Sequence, residues 1–316
     1  MALSINNKEY LFMEKYRPKT VDDIVINDSL KDDIKSWIKD GQIPNLLLSG
    51  RTPGTGKTSL CHVLINEIDA DALFVNASLE SNIDLLRSKI QGFVSTASFD
   101  NRPKIVVLDE ADFLNANSTQ PALRGFIEQF SKNARFILTC NYKNKLIEPL
   151  RNRLIDINFD DMAIKYKSTL KKETALRCIE ILNNEGIDFK KPDLAWVINH
   201  FYPSNRKIIN SLQEHSTSGT LVIDTNEKDH EALANKIFGN IMRQEFKVLR
   251  QNLAKLPDPS SIFSGLFDEI DMFPEGLQPR VIMTIAKYQA YDSQVRDRLI
   301  NAVACCVEVM DLLQKI

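Results

Sequence analysis

Asn45-Leu46-Leu47-Leu48-Ser49-Gly50-Arg51-Thr52-Pro53-Gly54-Thr55-Gly56-Lys57-Thr58-Ser59 is the stretch that decides the fold. A short apolar run, Asn45 to Ser49, ends at a glycine-rich turn, and Thr58 to Ile68 reads as a helix directly behind it. Gly54 and Gly56 let the backbone come close to phosphate oxygens and turn N–H groups toward them. The helix beginning near Thr58 adds unpaired N–H groups and the positive end of its dipole. Lys57 can then reach the β- and γ-phosphates of a triphosphate, and the Thr58 hydroxyl can bind Mg²⁺. Gly54, Thr55, Gly56, Lys57, Thr58 and Ser59 are the expected phosphate cradle. The strict spacing puts glycine at position 51, where this chain has Arg51, with Gly50 one residue early. The start of the loop therefore departs from the pattern, while its phosphate-facing half is intact. A glycine-rich turn with an incidental lysine is the plain alternative, and a strand before it and a helix after it argue against that.

Working outward, Lys104 to Leu108 is an apolar strand that ends in Asp109-Glu110-Ala111-Asp112. Asp109 is expected to hold Mg²⁺, directly or through water, and Glu110 to orient and deprotonate the attacking water. An apolar strand followed by acids is common; its position 52 residues after Lys57 gives the pairing its weight. No Asn-Lys-x-Asp guanine reader occurs in the chain, which favours adenine and hence ATP. Further strands are expected at Ala72 to Val75, Arg135 to Cys140 and Leu154 to Phe159, with helices at Ile83 to Val94 (Leu85, Leu86 and Ile90 at helical spacing) and Gln120 to Phe130. Continuous Val/Ile/Leu runs suit strands covered on both faces, and alternation with helices implies a parallel, doubly wound α/β sheet. After about Asp160 the strand-like runs stop. Helices are expected at Ile164 to Asn184, Pro192 to Asn199 and Asn205 to Glu214, followed by a polar linker at Ser216 to Asp229. The remainder reads helical, with Val295, Leu299, Ala302, Val303, Cys306, Met310 and Leu313 in one apolar stripe.

The chain has 316 residues, which makes two or three domains the expectation. Hydrophobic residues are 43% and charged residues 26%, a globular composition that argues against wholesale disorder. Forty Lys+Arg against 42 Asp+Glu leave a net charge of -2, so a general nucleic-acid-coating polycation is not indicated, although a local basic face is compatible with it. No apolar run reaches the ~20 residues of a membrane helix, and the first ten residues carry no apolar signal segment. The five cysteines form no Cys-x-x-Cys pair and read as free thiols of a reducing cytoplasm, while the four histidines show no metal-ligand spacing.

Glu14-Lys15-Tyr16-Arg17-Pro18, the Pro-Gly-Thr-Gly-Lys-Thr loop and Asp109-Glu110-Ala111-Asp112 together resemble the AAA+ clamp-loader ATPases, a pattern shared with replication factor C small subunits. Ala97-Ser98-Phe99-Asp100 and the chain length are similar to the large ATPase subunit of T-even bacteriophage clamp loaders. The resemblance is specific from about Tyr10 to Asn210. It implies an AAA+ P-loop NTPase domain over residues 1–162 with a five-stranded parallel sheet, a small helical lid over 163–228, and a C-terminal all-helical collar over 229–316. It implies that Met13, Glu14, Lys15, Tyr16 and Arg17 lie along the adenine with Val25 beside it. Asn141 matches sensor 1, and Arg206 matches the sensor 2 arginine of the lid, without the usual Gly-Asp before it. Arg153 falls where the family has Ser-Arg-Cys, whose arginine completes a neighbouring subunit's site in trans; here the triplet is Asn152-Arg153-Leu154 and Arg151 is a rival. Gln120 and Arg124 sit four apart on a helix that in the family couples the acidic motif to DNA. Arg87, Arg102, Arg124 and Lys104 are candidate phosphate contacts, and Asn82 stands where the phage relative has lysine.

The resemblance further implies a DNA- and clamp-stimulated ATP hydrolase, acting with Mg²⁺ in the cytoplasm of a host cell. Its expected partners are other copies of itself, a smaller subunit of a pentameric ring, a sliding clamp and primer–template DNA. Two rivals stand beside this reading. Another AAA+ motor, such as a branch-migration or unfolding ATPase, would need in the unfolding case an aromatic pore loop that Asn76 to Asn82 does not offer. An ATP-stabilised scaffold would not need the intact Lys57, Thr58, Asp109 and Glu110.

Overall fold

The computed structural model describes residues 10–79, 83–96, 102–216, 218–223, 233, 236–256 and 258–314. Asn82, the Ala97-Ser98-Phe99-Asp100 motif, the side chain of Leu85 and most of the polar stretch after Ser216 lie outside them. The chain divides into two compact units, one up to Val222 and one from Ile223 onward.

The first unit is built on five strands: β1 (Leu46–Ser49), β2 (Asp71–Asn76), β3 (Lys104–Asp109), β4 (Ala134–Cys140) and β5 (Ile155–Asn158), in the order β2-β3-β4-β1-β5. Every neighbouring pair is parallel, with Leu46 opposite both Ile137 and Ile155 and Asn76 opposite Asp109. Alternate residues of the three central strands, β1, β3 and β4, feed two separate cores. Leu47, Val106, Leu108, Phe136 and Leu138 pack on one face with Leu86, Ile90 and Leu123, while Leu46, Leu48, Ile105, Val107 and Ile137 pack on the other with Leu60, Val63 and Leu64. Burial on both faces is why the strands read as unbroken apolar runs. Because the strands are parallel, all their C-terminal ends open on one edge. Loops after β1, β3 and β4 meet there, where ligands of open α/β sheets bind.

Helices α1 (Phe12–Lys15), α2 (Asp28–Lys39), α3 (Lys57–Ile68), α4 (Ile83–Ser95), α5 (Thr119–Gln129) and α6 (Glu148–Arg151) accompany the sheet. The expected strand at Leu154 to Phe159 ends at Asn158, because the Asn158 side chain accepts the N–H groups of Asp160 and Asp161 and starts α7 (Phe159–Lys165). The single helix expected at Ile164 to Asn184 is divided at Tyr166, with α8 (Lys167–Asn184) following α7. The lid helices α9 (Lys191–Phe201) and α10 (Asn205–Glu214) follow, the latter capped by the Ser204 hydroxyl accepting from the Lys207 N–H. The expected linker at Ser216 is partly structured: Thr220–Leu221 pairs in parallel with Asp188–Phe189.

The second unit is helical over Phe246–Leu253, Ser261–Asp268, Gln278–Tyr291 and Arg298–Gln314, around Ile237, Leu249, Phe263, Val281 and Val309. Of the expected stripe, Ala302, Cys306 and Met310 are buried, whereas Val295 precedes the helix. The Asp297 carboxylate accepts the N–H groups of Leu299 and Ile300 and so fixes the helix start after it.

Candidate functional site

A cavity of about 800 Å³ opens at the C-terminal edge of the sheet, between the loop after β1, the ends of β3 and β4, the arm over residues 10–18, and the lid helices α8 and α10. Its floor is the loop from Pro53 to Ser59. Gly54 (φ +77°) and Gly56 (φ +111°) hold left-handed conformations that a side chain would strain. A Cβ on Gly54 would also lie 2.6 Å from the Arg206 Cβ and 2.8 Å from the Ser204 Oγ, so the lid touches the loop where glycine is required. The contact is bonded: the Arg206 N–H donates to the Gly54 carbonyl (3.1 Å), the Ser204 hydroxyl to the Pro53 carbonyl (2.9 Å) and the Asn205 amide to the Thr55 carbonyl (3.4 Å).

Lys57 is buried and its ammonium donates to the carbonyls of Gly50 (2.8 Å) and Thr52 (3.0 Å). Burial pushes its pKa down, against the pull of Asp160 and, more weakly, Asp109 and Asp112. Across the cavity the Thr58 hydroxyl donates to Asp109 Oδ1 (3.0 Å), as does the Thr139 hydroxyl (2.6 Å). Thr139 Oγ1 also accepts the Glu110 N–H (3.0 Å), so one β4 side chain orients both acids. Glu110 sits at φ +56°, a left-handed position that is uncommon for a non-glycine residue, and it lines the cavity beside Asn141. The Asn141 and Tyr142 N–H groups approach the buried Asp112 carboxylate at 3.4 and 3.3 Å, which fixes the turn that presents Asn141.

Met13, Glu14, Tyr16, Arg17 and Val25 line the opposite end of the cavity. Lys15 does not: its ammonium is paired with Glu185, just after α8, at 2.5 Å, and the Tyr16 hydroxyl donates to the same carboxylate oxygen at 2.5 Å. The arm is further held by the Gln213 amide of α10, which accepts from the Phe12 N–H (3.0 Å) and donates to the Tyr10 carbonyl (3.0 Å). Arg177 of α8 adds a bond to the Tyr16 carbonyl at 3.4 Å. Thr55 is buried in the loop with its hydroxyl turned to the Thr52 carbonyl, and is not part of the cavity wall.

The structure therefore brings Gly54, Gly56, Lys57, Thr58, Ser59, Asp109, Glu110, Asn141 and Arg206 to one cavity. Arg153 is absent from that wall. It lies after α6, with its guanidinium on Glu128 of α5. Lys104 is corrected as a phosphate contact: it is buried, and its ammonium is spent on the Phe93 carbonyl at 2.6 Å and on Thr96 at the end of α4. Gln120 is fully buried. Its amide donates to the Leu114 (2.9 Å) and Lys145 (3.1 Å) carbonyls and accepts from the Ile147 N–H (2.8 Å). Arg87 and Arg124 are exposed, Arg87 over the Phe126 ring at 6.0 Å, and Arg102 pairs with Asp69 at 3.2 Å. Sequence reading missed Thr139, Asp160, Ser204, Glu185 and Gln213. Asp160, for instance, accepts the N–H groups of Arg51 (2.6 Å) and Thr52 (3.3 Å), and it carries no spacing signal because it reaches the loop from a different strand end.

Residues 46–160 match the AAA family, ATPases associated with various cellular activities. The chain is 33% identical over 273 residues to the sliding-clamp-loader large subunit of Enterobacteria phage T4, covering 84% of each chain. It is 34% identical over 280 residues to the replication factor C small subunit of Archaeoglobus fulgidus, covering 84% of this chain and 85% of the relative. Among solved structures, the Thermotoga maritima RuvB Holliday junction branch migration motor superposes with a TM-score of 0.51 at 19% identity, over 76% of this chain and 85% of that one. That last likeness shows the fold alone.

A parallel sheet with a glycine-rich phosphate loop, paired acids facing it and a lid helix bonded to the loop defines an AAA+ ATPase. Within that class, the chain belongs to the family of sliding-clamp-loader large subunits and replication factor C small subunits.

Proposed function

We propose that this protein is the ATP-hydrolysing subunit of a sliding-clamp loader. In this reading, ATP binding and hydrolysis drive a clamp open and place it on primer–template DNA. The observation that carries it is the constellation across one cavity: Lys57 and Thr58 on the loop, Asp109 and Glu110 facing them, and Asn141 at the end of the adjacent strand. In this reading Glu110 takes a proton from the attacking water, a role supported by the bond from its N–H to Thr139 Oγ1. Lys57 must leave its loop carbonyls to meet the γ-phosphate, and Arg206 approaches the same phosphates from the lid.

The residues present suit Mg²⁺. A hydroxyl and a carboxylate oxygen, Thr58 Oγ1 and Asp109 Oδ1, lie 3.0 Å apart in the cavity and make a hard-oxygen donor pair. When bound, the ion supplies neutralisation of phosphate charge.

The reading extends to three domains: residues 1–162 for nucleotide, 163–228 as lid and 229–316 as collar. Its supports are the shared compact unit of sheet and lid and the separate helical core of the second unit. Arg153, outside its own cavity, would complete the site of the next subunit in a pentameric ring that includes a smaller partner. The working state is ATP-favoured because ATP binds it better. The phage relative points to a host cytoplasm as the setting, and no helix of the described residues is long and apolar enough to cross a membrane.

The test is ATPase turnover with and without clamp and primed DNA. Strong stimulation by the two together is expected, and turnover indifferent to both would refute the assignment. In the same assay Glu110→Gln should retain ATP binding while kcat falls roughly 10²–10⁴-fold; full-rate hydrolysis would remove Glu110 as the base.

A further inference from the structure

We propose that Glu128 is the positioning residue of the trans arginine: it holds the Arg153 guanidinium fixed, so that the fork is already formed when a neighbouring subunit presents its nucleotide. This rests on the reading of Arg153 given above.

The geometry is a three-point clamp. Arg153 Nε donates to Glu128 Oε1 at 2.7 Å, a second nitrogen donates to the same oxygen, and the third donates to the Pro149 carbonyl. A guanidinium has five N–H donors. Three are used here, which leaves one on each terminal nitrogen, the pair that meets two oxygens of a phosphate side by side. The Arg153 side chain is 28% exposed, so part of it remains accessible to a partner. Arg151, the rival, is not clamped in this way at Nε, which is buried without a partner.

A free arginine side chain carries rotamer entropy that must be lost on engaging a phosphate. A clamp already formed in the free subunit removes most of that loss. Glu128 stays ionised to do this, because the Arg153 hydrogen bonds, with Arg124 nearby, hold its carboxyl below the usual range. Helix α5 also begins beside the acidic motif, so the element that carries Glu128 belongs to the same core as β3. For folding alone the pair has little value: Glu128 is 51% exposed, and exposed ion pairs contribute little. A role in stability and a role in trans catalysis are therefore separable.

The experiment places the lesion in a subunit whose own site is already dead. Lys57→Ala and Lys57→Ala/Glu128→Ala subunits are each assembled with wild-type subunits, partner, clamp and primed DNA, and turnover per intact site is measured. The double variant should lower kcat of the neighbouring wild-type sites about tenfold with KM unchanged. Lys57→Ala/Glu128→Gln, which keeps an acceptor oxygen, should recover part of that loss. Adding Arg153→Ala to Glu128→Ala should cost no more than Arg153→Ala alone. If Arg153→Ala abolishes neighbour turnover and Glu128→Ala leaves it at the Lys57→Ala level, the trans arginine stands and this proposal falls. If Arg153→Ala is itself silent, the trans reading falls and this proposal with it. Faster turnover with Glu128→Ala would make the carboxylate a competitor for the guanidinium and overturn the proposal. Failure of both Glu128 variants to assemble would do the same, by showing an assembly role.

Discussion

At the scale of single residues, the site depends on groups that have no freedom to change. Gly54 combines a left-handed backbone with a lid contact, so Gly54→Ala meets both strain and overlap with Ser204 and Arg206. We expect a loss of about 1–3 kcal/mol in stability and at least a ~10-fold loss in ATP affinity, measured by thermal unfolding and calorimetric titration; an unchanged affinity would show that the lid is free to retreat. Lys57 supplies a pH prediction. Its pKa is depressed by burial in the loop, and an adjacent triphosphate favours the charged form. At alkaline pH, where the free lysine has lost its proton, ATP binding must therefore take a proton up, and affinity should fall as pH rises through the depressed pKa. Titrations in buffers of different ionisation enthalpy would detect the uptake, and zero uptake across the alkaline range would contradict it. These residues were legible in the sequence because glycine, lysine and acid at fixed spacing have few other uses. Thr139 and Asp160 were not, since a threonine inside a strand and an aspartate at a helix start are common in any fold.

At the scale of elements, the arm over residues 10–18 is fastened to the lid: Arg177 on α8, Glu185 at its C-terminal cap and Gln213 on α10 hold it. The base end of the cavity should therefore respond to lid side chains that never touch nucleotide. Gln213→Leu removes two bonds to the arm backbone and is expected to raise KM for ATP several-fold with kcat little changed; an unaltered KM would detach the arm from base binding. Glu185 adds acid sensitivity. Its carboxyl is held below the usual range, chiefly by the Lys15 and Tyr16 hydrogen bonds, so its contribution is present above the ordinary carboxylate pKa and is lost as pH falls through the lowered one. Arm protection in hydrogen exchange should weaken over that acid window in the native chain and be already weak at neutral pH in Glu185→Gln. Sequence patterns named Gln120 and Arg124 as a pair on one face, yet the fold buries Gln120 against three backbone groups and leaves Arg124 in solvent. A polar residue on a helix gives no sign of which neighbours' carbonyls await it.

At the scale of the molecule, the sheet order β2-β3-β4-β1-β5 puts the phosphate loop's strand beside β4, which ends in Cys140 just before Asn141, and sets β3 one strand further on. Bound nucleotide should accordingly stabilise the first unit: saturating ATP in the Glu110→Gln chain is expected to raise its unfolding free energy by a ligand-concentration-dependent amount, of order 3 kcal/mol at a hundredfold excess over Kd, and its thermal midpoint with it. No shift in the chain that still carries Lys57 would remove the cavity as the nucleotide site. What the sequence determined by itself was local and periodic: the loop, the paired acids, the buried parallel strands and the helical C-terminal unit, each written in spacing or in unbroken apolar runs. What only the tertiary structure decided was who meets whom. Asn158 ends β5 and starts α7, Lys104 is buried under α4, Lys15 turns to Glu185, and Arg153 rests on Glu128. The Asn158 and Lys104 bonds span a few to 11 positions, while Lys15–Glu185 and Arg153–Glu128 span 170 and 25; in every case the bond depends on distance and angle in the folded chain, which no residue spacing encodes.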